Sequence, residues 1–333
     1  MSGTGSNLLV DVPVELACEV LRDWLGLKNI VRLDTAFCST VQRNLLATMF
    51  SSSLFSLIDV PWLNCSSRSM EWIAARNIRV EILRLHGDSD VSCQEHYLRK
   101  FGTCVKTMYL RGFDDSNRNR LKMSQIVQHC SNLSTVLCSS CSLTSQLIEL
   151  LSTNLKLNSI TFEQVGGLDY ELIPPEIMNT PATHHLPLQV IDIDGDEIAE
   201  ACIFNLCTPE RVQRMNVPAS IYLPEWPKFV NLRCLQFSGE SLPDDETLLH
   251  IATHCPGITD LNISSSDTED LTNEGIEAAI AALQQLRSIN VERLGVEDHT
   301  LQKVVERHKN SLQAMYMKYA SGITAVSLNH ALS

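Results

Sequence analysis

The sequence has 333 residues, 26 basic and 39 acidic, for a formal net charge of −13, and 44% of it is hydrophobic. That balance folds, so a chain disordered throughout is excluded. The acidic excess argues against a nucleic-acid or anionic-membrane partner, because either needs a basic face.

The opening Met1-Ser2-Gly3-Thr4-Gly5-Ser6-Asn7 carries no basic run and leads into no signal-like apolar core. No stretch reaches the 18 or more apolar residues of a membrane span. The expected setting is cytoplasmic or nuclear. The 12 cysteines then read as reduced thiols, and the sequons at Asn64, Asn132 and Asn262 as chance matches.

Residues 8–50 read as a helical module. Leu16, Val20, Leu21 and Trp24 fall at helical spacing after Val12-Pro13-Val14-Glu15. Ile30, Leu33 and Phe37 follow Gly26 as a second pattern, and Val41, Leu45, Leu46 and Phe50 make a third. Three helices in about 45 residues form a marginal core and need a surface to dock on. Residues 51–79 read as a linker, with Ser51-Ser52-Ser53 and Cys65-Ser66-Ser67, followed by a leading helix over Met70–Ala75.

From residue 80 onward one pattern recurs: apolar-x-x-apolar-x-apolar. It begins as Val80-Leu83-Leu85, Val105-Met108-Leu110 and Leu133-Val136-Cys138, and ends as Leu286-Ile289-Val291 and Leu312-Met315-Met317. Ten copies stand 20–31 residues apart. Periods of about 20–29 residues with an L-x-x-L-x-L core mark leucine-rich repeats. The alternating end of each copy has the period of a strand. Helical patterns lie between copies, at Ser124–Cys130, Asp244–Cys255 and Thr272–Leu283, where Thr272 is placed to cap its helix. The expected fold is therefore α/β: a leucine-rich-repeat solenoid, with a curved parallel sheet and outer helices, over 80–333.

The repeats resemble the cysteine-containing leucine-rich-repeat family. His129-Cys130-Ser131-Asn132-Leu133 and His254-Cys255-Pro256-Gly257-Ile258 match its small cysteine segment before a strand. Cys138-x-x-Cys141 falls on two repeat positions, which makes packing its expected role rather than metal binding. The N-terminal module resembles an F-box. Val12-Pro13-Val14-Glu15-Leu16 matches L-P-x-E-L with Val12 in place of the first leucine, Val20-Leu21 the next apolar pair, and Asn29-Ile30-Val31-Arg32-Leu33 resembles the later D-L-x-R-L, offset by about one inserted residue. Ala36-Phe37-Cys38 resembles the family's V-C, again one residue longer, and Val41 lies near the place of the tryptophan usual after it.

The F-box resemblance implies an Skp-type adaptor and a cullin ligase complex as partners. It assigns adaptor contact to Pro13, Leu16, Val20, Leu21, Trp24, Ile30 and Leu33. The implied role is a substrate-recognition subunit of an SCF-type ubiquitin ligase. The other reading is a non-catalytic repeat scaffold whose N-terminal helices only cap the first repeat.

Enzyme signatures are missing from the sequence: G-x-S-x-G, the P-loop, H-E-x-x-H and G-x-G-x-x-G do not occur. Asp192-Ile193-Asp194-Gly195-Asp196-Glu197 fails as a calcium loop, because Glu197 stands where glycine is needed. His184-His185 reads as part of a proline-rich loop. No cofactor, metal or catalytic residue is expected. The residues between the core apolars should face a protein target across the concave sheet. Those chosen are Arg84, Tyr109, Arg111, Asp192, Asp194, Asn216, Asn262, Asn290, Tyr316 and Lys318. Tyrosine and arginine are enriched where interfaces gain most of their binding energy.

Overall fold

A computed structural model describes residues 12–25, 27–37, 39–52, 55–59, 67–87, 91–113, 126–141, 151, 154, 156–163, 187–194, 207–218, 228–238, 242–264, 271–318 and 322. The sequence features at Gly26, Cys65-Ser66, Ser124-Gln125, His184-His185 and 195–197 lie outside them. The chain divides into two compact units, Met1–Cys141 and Ser142–Ser333.

The first unit opens with helices α1 (Val14–Trp24), α2 (Leu27–Ala36) and α3 (Thr40–Ser51). Strand β1 (Ser56–Asp59) and helix α4 (Ser67–Ala75) follow. Strand β2 (Arg79–His86), helix α5 (Val91–Phe101), and strands β3 (Thr107–Arg111) and β4 (Thr135–Ser139) complete it. β1 to β4 pair in chain order, all parallel.

β1 is an addition to the sequence reading, which placed those residues in a linker. Its register sets Leu57 opposite Val80, the first core position of the first repeat. The signal was available in the sequence: Leu57-x-x-Val60-x-Trp62 has the same apolar-x-x-apolar-x-apolar spacing as the ten copies.

The second unit holds strands β5 (Ser159–Glu163), β6 (Val190–Asp194), β7 (Arg214–Pro218) and β8 (Cys234–Ser238). Helix α6 (Asp245–His254), strand β9 (Asp260–Asn262), helix α7 (Asn273–Ala282), strand β10 (Ser288–Asn290), helix α8 (Asp298–His308) and strand β11 (Ala314–Tyr316) complete the described elements. These strands also pair in chain order and parallel. Consecutive parallel strands with returning helices make this an α/β leucine-rich-repeat solenoid.

The repeat arises from a division of labour along each strand. In the first nine copies every core apolar residue is buried, from Val80, Leu83 and Leu85 to Leu286, Ile289 and Val291. In the tenth, Leu312, Met315 and Met317 are half-buried, because β11 has a described neighbour on one side only. Three residues before the first core position the chain turns. Its carbonyl accepts the core residue's N–H, as at Val105 to Gly102, Leu133 to Cys130 and Ile258 to Cys255, at 3.0, 3.0 and 3.2 Å. Cys130 and Cys255 fill that corner, and burial pushes both thiols up to about 12. They pack as small apolar groups.

After the strand the chain turns again. Gly112, Ser140 and Arg293 occupy the same repeat position and all have positive φ, 64°, 51° and 65°. The turn itself is left-handed, whether or not glycine is present. Gly87 holds this position in the first repeat for another reason: a Cβ there would stand 2.1 Å from the Gly112 carbonyl oxygen.

The last three helices share a capping ladder. Asp244 and Thr272 accept the N–H groups of Thr247 and Gly275, at 2.8 and 3.1 Å, which caps α6 and α7. The first residue inside each of these two helices then reaches the next cap. Asp245 accepts from Thr272 N at 2.8 Å, and Asn273 from Glu297 N at 3.0 Å.

Candidate protein-interaction surfaces

α1 has two apolar sides. Ala17, Cys18 and Leu21 are each 1% exposed and pack toward α3 and β1. Leu16 and Val20, one turn apart, are 50% and 39% exposed. Helical geometry requires this split: Ala17, Cys18 and Leu21 span one face, and Leu16 and Val20 form a ridge beside it. Pro13 is exposed at the start of α1, where its carbonyl accepts from Ala17 N at 3.0 Å. Ile30 is fully buried on α2 and Leu33 half-buried. The Trp24 side chain lies outside the described residues. The sequence-chosen residues thus divide, Leu21 and Ile30 serving the core while Pro13, Leu16 and Val20 face outward. On α3, Val41 is 79% exposed.

A polar contact ties the module to the leading helix α4. Asp34 on α2, 8% exposed, accepts from Trp72 Nε1 at 3.2 Å and from Arg76 Nε and Nη2 at 3.0 and 2.8 Å. Both partners belong to α4 and the turn after it. Phe50 adds an edge contact to the Trp72 ring, with centroids 6.3 Å apart.

The sheet face of the first unit is basic and aromatic. The Arg84 guanidinium lies 4.1 Å from the Tyr109 ring centroid, across the β2–β3 pair. This cation–π contact holds both side chains in place. Arg111 is exposed at the end of β3.

The second unit carries a more polar face. Asn216 Nδ2 donates to Asp192 Oδ1 at 2.7 Å across β6 and β7. Asp194 ends β6, and its side chain lies outside the described residues. Asn262 and Asn290 stand opposite each other on β9 and β10. Asn262 Oδ1 accepts from Ser264 N at 3.0 Å, and Asn290 Oδ1 from Glu292 N at 3.0 Å. Each oxygen is committed to its own turn, so the amide NH2 groups are what these residues offer a ligand. Tyr316 is 53% exposed on β11, and Lys318 is exposed beyond it.

A groove of about 290 Å³ runs across this face and brings Asn262, Asn290 and Tyr316 together with Arg214, Cys234, Gln236, Asp260 and Ser288. Arg214, Cys234, Asp260 and Ser288 form a column absent from the sequence reading of the site. The signal was available: they precede the middle core apolar, and a strand's period of two puts them on the same face. Cys234 donates to Asp260 at 3.6 Å, and burial together with that carboxylate raises its thiol pKa. It is a weakly nucleophilic cysteine. Among the described residues, no group of three metal-binding side chains and no membrane-length apolar helix occurs.

No family model matches the chain, and no curated protein matches it. Solved structures do. A chain in the crystal structure of the Rad7 and Elc1 complex in yeast is 17% identical, with a TM-score of 0.59, over 94% of this chain and 89% of that one. The leucine-rich-repeat-containing protein LegL7 from Legionella pneumophila is 14% identical over 84% of this chain and 96% of that one, with a TM-score of 0.48. The first is a likeness of fold alone.

Proposed function

We propose that this chain is a non-catalytic receptor, the substrate-recognition subunit of an SCF-type ubiquitin ligase. In this reading residues 8–50 form the adaptor module, 51–79 the connection with its leading helix, and 80–333 the target-binding repeats. The module binds an Skp-type adaptor in a cullin complex, in the cytoplasm or nucleus. The sheet faces hold a protein target and raise its effective concentration near a recruited conjugating enzyme. The chain supplies no catalytic side chain.

The observation that carries this reading is the Leu16–Val20 ridge. A helix serving only as a cap has reason to bury its apolar residues, and α1 already seats Ala17, Cys18 and Leu21 on the fold while leaving the ridge outward. An exposed apolar ridge beside a fixed core suits a partner. The yeast structure of similar fold was likewise solved as a complex of two proteins.

A second reading, a capped interaction scaffold, draws on the Asp34 contacts, which tie the module firmly to α4. Co-purification with an Skp-type adaptor separates the two. The receptor reading expects a stable complex that is lost in a folded Leu16→Asp/Val20→Asp variant. A parent chain that binds no adaptor leaves the scaffold.

A further inference from the structure

Two imidazoles stand one turn apart on α6. His250 is exposed and His254 half-buried, and their ring centroids lie 4.2 Å apart. Residues four apart on a helix share a face, so both rings leave α6 in one direction. His254 Nδ1 lies 2.8 Å from the carbonyl oxygen of His250. A carbonyl only accepts, so Nδ1 carries a proton, and in the neutral ring Nε2 holds the lone pair. Histidine ligands have this arrangement: one nitrogen anchored to a protein acceptor, the other aimed outward.

The helix beneath the pair is fixed. Asp244 caps it, and Asp245 binds both the backbone N–H and the hydroxyl of Thr272, at 2.8 and 2.6 Å. The backbone positions that carry the two rings are therefore held before any ligand arrives.

We propose that His250 and His254 form a two-imidazole site for a late first-row divalent ion: Ni2+, Zn2+ or Cu2+. Imidazole favours these ions over Mg2+ and Ca2+, which prefer oxygen. The neighbouring Cys255 takes no part, since it is fully buried. The remaining coordination positions belong to water or to a group on another molecule. The site is independent of adaptor binding.

Calorimetric titration of the full chain with Ni2+ tests the site. One ion binds here, and His250→Gln weakens it at least about tenfold, the lower end of what even an outer-shell change costs a metal site. That variant leaves the His254 anchor to the backbone in place. His299→Gln, on α8, leaves the affinity unchanged. A second measurement needs no substitution: substoichiometric Cu2+ broadens the ring signals of His250 and His254 before those of other histidines. Parent-like affinity in His250→Gln, or broadening that begins elsewhere, overturns the proposal.

Discussion

The Asp34 carboxylate on α2 accepts both Nε and Nη2 of Arg76 through a single oxygen, at 3.0 and 2.8 Å, 42 residues away in sequence. Trp72 supplies a third donor to the same atom. Asp34 is 8% exposed, so removing its partners strands a nearly buried charge. Asp34→Ala should cost about 2 kcal/mol, within the range for losing charged hydrogen bonds, read from urea unfolding. A double-mutant cycle with Arg76→Ala should show clear coupling. Additive losses would mean the pair contributes separately.

The two sides of α1 should respond oppositely. Leu21→Ala should destabilise by about 2–5 kcal/mol, as core truncations do. Leu16→Asp and Val20→Asp should stay within about 0.5 kcal/mol of the parent, as surface changes do. Thermal unfolding measures all three. Equal losses would mean that Leu16 and Val20 are packed in solution.

The left-handed turn offers a gain and a loss. Arg293→Gly should stabilise by up to about 1 kcal/mol, because relief of left-handed strain outweighs glycine's greater chain entropy. Gly87→Ala should destabilise by about 1–3 kcal/mol, since its methyl meets backbone that can yield only by shifting. Denaturant midpoints check both.

His308 sets a pH dependence. It is 3% exposed, and its Nε2 lies 3.2 Å from the Ile280 carbonyl oxygen. Burial, helped by Arg307, lowers its pKa below 6.5. The unfolded chain then takes up this proton near pH 6.5 while the folded chain resists, so stability falls as pH drops through and below that value. Melting temperatures measured from pH 8 to 5 should decline less steeply in His308→Gln. Identical slopes would assign the decline to other groups.

Thiol reactivity should follow burial. Cys130 and Cys255 should resist iodoacetamide in the native chain, while half-exposed Cys93 and Cys104 react ahead of them. Peptide mapping by mass spectrometry gives the order. Early labelling of Cys130 would show that the repeat corner opens readily.

The repeat was legible because it is periodic. A strand that buries alternate residues must write that alternation into the chain, and nine of the ten copies are buried at every core position. Thr272 was legible as a cap for a similar reason, since its bond to Gly275 spans only three residues. β1 carried the same signal in Leu57-x-x-Val60-x-Trp62, which the reading passed over, and its pairing with β2 sets Leu57 at the first core position. The polar groove was half legible: Asn262, Asn290 and Tyr316 stood in the chosen column, and Arg214 and Asp260 in the one beside it.

The sequence by itself determined the α/β repeat, its strand positions and the helical character of the N-terminal module, because each depends on neighbours within a turn or two. Tertiary structure alone decided which apolar residues of α1 face outward, how Asp34 meets Arg76, and that Ser140 and Arg293 adopt a turn suited to glycine. These depend on residues distant in the chain or on a turn imposed by the stack. A helix with apolar residues on two sides reads the same whether one side or both are covered, and only the packed fold selects which.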